Sequence, residues 1–99
     1  MVKIEWSKLA NYNLLQIYNY IYQDSIYYAA KTVNKIIQIT DNLDFSPYMG
    51  RKVFEYDDDD NIRELIYKSY RIIYEINLDR VVIRRIWHSA RILPQYLIS

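Results

Sequence analysis

The sequence predicts an α+β domain with element order β-α-α-β-β-β, a helical hairpin packed on one face of a small, mainly antiparallel sheet. Three observations carry this prediction. The opening "VKIEW" alternates apolar and polar residues with the period of a half-buried strand. Apolar residues then recur at helical spacing through two successive stretches between Ser7 and Leu43. Finally, "IRELIY" (62–67), "YRIIYEI" (70–76) and "RVVIRRIW" (80–87) read as β-type runs. The joints between them are too short for anything but antiparallel neighbours.

Each element has a local reason. In the first strand Val2, Ile4 and Trp6 oppose Lys3 and Glu5. Ser7 suits a helix N-cap, because its hydroxyl can accept from an otherwise unpaired amide of the first turn. Ala10, Leu14, Ile17 and Ile21 form the apolar stripe of the first helix, which ends near "QDS" (23–25). The second helix carries Ala29, Val33, Ile36, Ile37, Thr40 and Leu43 on one side. A joint this short makes the two helices an antiparallel hairpin. "SPYMGR" (46–51) breaks the pattern with Pro47 and Gly50, the only glycine of the chain. The final "RILPQYLIS" is either a short helix interrupted by Pro94 or an extended segment.

Ninety-nine residues suffice for one core, so residues 1–99 are read as a single domain. Apolar residues make up 52% and charged residues 25%, ordinary globular usage that argues against disorder. A chain this short has a modest core and gains from a partner that covers exposed apolar surface. With no cysteine, disulfides and thiolate metal sites are excluded, and a reducing cytoplasm is the expected setting. No stretch reads as a signal peptide or approaches the length of a membrane helix. The net charge of +1 hides an asymmetry. Residues 1–60 carry six Lys/Arg against nine Asp/Glu, whereas residues 61–99 carry seven against three. An anionic ligand would be drawn to the strand-rich half.

Three features are candidates for chemistry. Asp57–Asp60 is a run of four carboxylates without the ligand spacing or turn glycine of a calcium loop, and it reads as a solvated loop. The 12 tyrosines fall mostly on the helices, where helix surface and core edge explain them better than a base-stacking platform. His88, the only histidine, stands with Arg71, Arg91 and Tyr96 as the third feature. These are either the polar ends of strands or a metal-independent phosphate site. RNA cleavage needs a proton taken from a 2′-hydroxyl, positive charge around the phosphorane and a proton given to the 5′-oxygen. Histidine titrates in the range for proton transfer, and arginine offers a permanent fork for phosphate oxygens.

Taken together, "IEWSKLANYNLLQIYNYI" (4–21), "GRKVFE" (50–55), "REL" (63–65), "YRIIYEI" (70–76) and "VVIRRIWHSAR" (81–91) resemble the RelE/ParE superfamily, the toxins of type II toxin–antitoxin modules. The resemblance covers nearly the whole chain and implies the fold derived above. It also implies a cognate antitoxin as partner and no cofactor. Two activities occur in the superfamily, ribosome-dependent mRNA cleavage and inhibition of DNA gyrase. Carried over residue by residue, Arg71 and Arg91 match RelE arginines, His88 falls where related ribonuclease toxins have a histidine, and Tyr96 lies near a RelE tyrosine. In that reading Arg71 neutralises the phosphate, Arg91 contacts the same group or the leaving oxygen, and His88 is general acid or base. The lysines that RelE carries on the strand matching 62–67 are absent, and "GRKVFE" and "REL" are more typical of ParE.

The leading expectation is therefore an mRNA interferase, an endoribonuclease that acts on the ribosome and its mRNA. The alternative is a gyrase inhibitor without nuclease activity. A third reading is an inactive member held with its antitoxin for repression. The ribonuclease reading requires Arg71, His88 and Arg91 to converge on one phosphate-sized space, and opposite faces for these side chains would favour gyrase.

Overall fold

A computed structural model of the chain describes residues 2–56 and 58–88. The elements are β1 (Lys3–Trp6), α1 (Lys8–Tyr22), α2 (Ile26–Asp41), β2 (Arg51–Lys52), β3 (Ile62–Tyr67), β4 (Tyr70–Ile76) and β5 (Arg80–His88). Single 3-10 turns at Asn42–Asp44, Pro47–Met49 and Phe54–Tyr56 punctuate the crossing from α2 to β3. The sheet order is β1-β5-β4-β3-β2, with β1 parallel to β5 and every other pair antiparallel. The α+β order β-α-α-β-β-β holds, with β2 as one added strand. Two residues are too few to show an alternation, which is why β2 left no pattern in the sequence.

Both helices start on serine caps. Ser7 Oγ accepts from the Ala10 amide at 3.0 Å, and Ser25 Oγ accepts from the Tyr28 amide at 3.1 Å. Each cap satisfies one first-turn donor, worth about 1 kcal/mol. Ser7 Oγ also donates to the Arg84 carbonyl at 2.9 Å, and Asn13 Oδ1 accepts from the Ile86 amide at 3.1 Å. Two polar side chains of the α1 region thereby fix that helix against the last strand.

Opposed residues in a ladder share a face, so the register sorts the sheet. Leu65, Ile72, Tyr74, Ile76, Val81, Ile83 and Ile86 face the helices and form the main core with Ala10, Ile36 and Leu43. Ile83 and Ile86 are three apart and would take opposite faces in a regular strand. Ile73 pairs with Arg85 and Tyr74 with Ile83, leaving Arg84 as the extra residue of a β-bulge. The bulge resets the parity and lets both isoleucines point inward. On the outer face a smaller cluster of Val53, Ile62 and Ile73 is packed by Tyr56 and Trp87.

The segment before β2 is held by Tyr74. Its phenol donates to the Pro47 carbonyl at 2.7 Å and accepts from the Gly50 amide at 2.9 Å. A Cβ at position 50 would meet that phenol and lie 2.6 Å from the Glu64 carbonyl oxygen. Glycine is required at 50 by this close approach.

Candidate functional site

Arg71 lies on β4 opposite Trp87, while its neighbour Tyr70 lies opposite His88. Tyr70 and His88 share the helix side of the sheet, with ring centroids 6.1 Å apart in an edge-to-face arrangement. Arg71 therefore points to the other side. The two residues expected to flank one phosphate are separated by the sheet itself. The predicted convergence of Arg71 and His88 does not occur, because adjacent strand positions alternate faces and the register puts His88 beside Tyr70. Arg91 and Tyr96 lie outside the described residues.

The surroundings of Arg71 explain what it does instead. Its Nε donates to Glu64 Oε1 at 2.6 Å, and Nη1 and Nη2 donate to the two Glu55 oxygens at 3.0 and 2.7 Å. The second Glu64 oxygen accepts from Arg51 Nε at 2.7 Å. Side-chain exposure is 9% for Arg71 and 1% for Glu64. Hydrogen bonding to Glu55, and then to Glu64, pushes the Arg71 pKa up against the opposing effect of burial. Among the described residues two guanidinium groups and two carboxylates join in this network, and bidentate pairing gives it a fixed geometry. A charge matched in this way has little attraction left for a substrate phosphate.

His88 lines a groove with Asn13, Gln16, Ile17, Tyr20, Tyr70 and Ile86, between the second half of α1 and the ends of β4 and β5. Burial, and then the nearby Tyr20 phenol, raises the Tyr70 pKa. The wall of this groove is aromatic and amide, a surface suited to contact with a protein. Exposed Tyr12, Leu15, Tyr22, Ile26, Tyr27 and Tyr28 continue an aromatic and apolar surface over the helical hairpin.

Sequence reasoning missed the carboxylate partners of Arg71. One signal was present, since Glu64 shares strand parity with Ile62 and Ile66 and so sits among apolar positions. Arg85 was also passed over. Its guanidinium stacks on Trp87 at 4.5 Å, Nε is buried without a hydrogen-bond partner, and burial lowers its pKa. The acidic run is used locally: Asp59 Oδ1 accepts from the Asn61 amide at 2.9 Å, and Asp60 pairs with Lys52 at 2.9 Å. Among the described residues no three metal-ligating side chains gather, and no helix is long and apolar enough to cross a membrane.

A helical hairpin over a mixed five-stranded sheet, with these motifs in this order, defines a RelE/ParE-type toxin of a type II toxin–antitoxin module. Comparison with known proteins narrows the class. The family model described as "ParE toxin of type II toxin-antitoxin system, parDE" matches residues 4–93, and the chain belongs to that family. Among solved structures, a chain of the chromosomal ParDE TA system from P. aeruginosa superimposes with a TM-score of 0.73. At 20% identity it covers 89% of this chain and 96% of its own length, a likeness of fold. No curated protein matches the chain at a significant level.

Proposed function

We propose that this toxin acts as a binding protein directed at DNA gyrase, not as an mRNA endonuclease. The observation that carries the reading is the clamp of Glu55 and Glu64 around Arg71, placed on the opposite side of the sheet from His88. General acid–base catalysis needs its proton-transfer group within hydrogen-bond reach of the reacting oxygen. The developing phosphorane also needs uncompensated positive charge aimed at it. Arg71 and His88 cannot serve one phosphate from two sides of a β-sheet. Membership of the ParE family supports the same conclusion.

A gyrase-directed toxin works by contact, so its requirement is surface. The groove of Tyr20, Tyr70 and His88 and the adjoining exposed hairpin tyrosines supply one. A cognate antitoxin would cover apolar surface of this kind with a segment that orders on binding, using the hairpin or an open sheet edge as template.

The deciding experiment runs purified toxin in two assays. In a gyrase supercoiling reaction, supercoiling should fall with toxin concentration and cleavage complexes should accumulate. In ribosome-bound primer extension, no codon-specific cuts should appear. Codon-specific cuts with undisturbed supercoiling would reverse the assignment.

A further inference from the structure

A second surface, next to the groove across the Tyr67–Tyr70 pair, has a different chemistry. Along the exposed side of α2, Lys31, Asn34, Lys35 and Gln38 line a shallow groove whose far wall is Tyr67, at the end of β3. The Lys31 ammonium lies 5.8 and 6.0 Å from the Tyr27 and Tyr28 ring centroids, and the Lys68 ammonium lies 5.5 Å from that of Tyr67. Among the described residues none of these three lysines forms an ion pair, whereas Lys3 and Lys52 both do.

Two features of the patch work against stability. Lys31 and Lys35 are like charges one turn apart on a helix, a repulsive spacing. Lys68 occupies the β3–β4 turn with φ of 52°, in the left-handed region where glycine or asparagine would sit with less strain. Among the described residues these lysines have no carboxylate partner, so the patch keeps positive charge for an anionic ligand.

The side-chain types choose between ligands. Lysine is depleted at the centre of protein–protein interfaces, where arginine and apolar anchors dominate. Lysine, asparagine, glutamine and tyrosine are all among the side chains that contact nucleic-acid phosphates and sugars. We propose that this face of α2, with the β3–β4 turn, grips the phosphate backbone of duplex DNA through Lys31, Lys35 and Lys68. Binding is independent of base sequence, since nothing in the patch reaches far enough to read a groove.

The test is fluorescence anisotropy of a short labelled DNA duplex with the full chain, titrated from roughly 50 to 200 mM salt. Three phosphate contacts give a slope of log affinity against log salt of about −2.7, at about −0.9 per contact. Lys35→Gln and Lys68→Gln should each make the slope shallower by about one contact. The combined Lys31→Gln, Lys35→Gln and Lys68→Gln variant should lose binding. Lys8→Gln, an exposed lysine on α1, should leave the slope unchanged, and matching thermal melts would establish that all variants fold. Absence of binding at low salt, or an unaltered slope in the combined variant, would overturn the proposal. So would polyglutamate competing as well as duplex at equal charge, which would mark the patch as a dock for an acidic protein. No gyrase is present in the assay, so this surface and the gyrase assignment stand or fall separately.

Discussion

The two faces of the sheet are covered by different physics. The inner face is closed by α1 and α2 over Ile72, Tyr74, Val81, Ile83 and Ile86, a core built from dispersion and the removal of apolar area from water. Among the described residues no α-helix lies over the outer face. Residues 53–56 cross it, with Val53, Ile62 and Ile73 as a small apolar patch and the Arg51–Glu64–Arg71–Glu55 network beside them. One face tolerates apolar exchange of similar volume; the other depends on complete pairing. The largest test of that contrast is Arg71→Ala, which takes the bidentate partner from Glu55 and one of two guanidinium partners from buried Glu64, and should cost about 3–5 kcal/mol in urea unfolding. A loss below about 1 kcal/mol would mean the network behaves like a surface ion pair and the outer face is held by its apolar patch alone.

Ile36→Ala, from α2 into the inner core, should cost about 2–5 kcal/mol, according to how far the cavity collapses. The same method serves both variants, so the faces can be ranked directly. Tyr74→Phe sits between the regimes: the ring stays in the inner core while the bonds to Pro47 and Gly50 are lost. A cost of about 1–3 kcal/mol is expected for leaving those groups without a protein partner.

Tyr74 also gives a pH signature. Burial raises its pKa above the ordinary value of 10.0. Its contribution is therefore complete below pH 10 and is lost as pH rises through the folded-state value. Alkaline unfolding should be blunted in Tyr74→Phe, measured by circular dichroism against pH. The smallest effect concerns Asp60, whose pKa is lowered from 3.8, first by its hydrogen bond to Lys52. The pair contributes above that ordinary value and is lost as pH falls through the depressed one. Carboxyl NMR titration of Lys52→Gln should show the Asp60 midpoint return toward 3.8.

The element order was readable because each long element announces itself within a few residues. "VKIEW" shows its period directly, and Ser7 marks the start of α1 three residues before the amide it caps. The bulge at Arg84 was not readable, since "RVVIRRIW" fits a straight strand equally well until the partner register is known. The facing of Arg71 and His88 was not readable for a related reason. Arg71 reads the same on paper whether it awaits a phosphate or is held by two glutamates. Glu55 and Glu64 are 16 and 7 residues away in sequence, and folding alone brings them to it. The last strand was read as 80–87 and runs one residue further, to His88, whose facing depends on a pairing that strand composition does not encode.

The anchoring of α1 has a consequence for assembly. β1 stops at Trp6 while β5 runs on to His88, which would leave a bare border along the upper part of β5. Ser7 and Asn13 bond the Arg84 carbonyl and the Ile86 amide there, standing in for the strand that is missing. A second molecule cannot zip its own strand onto those two groups without first prying the helix away. The toxin is thus guarded against stacking into larger sheets at this border, and a binder that opened it would have to take over the work of those two side chains.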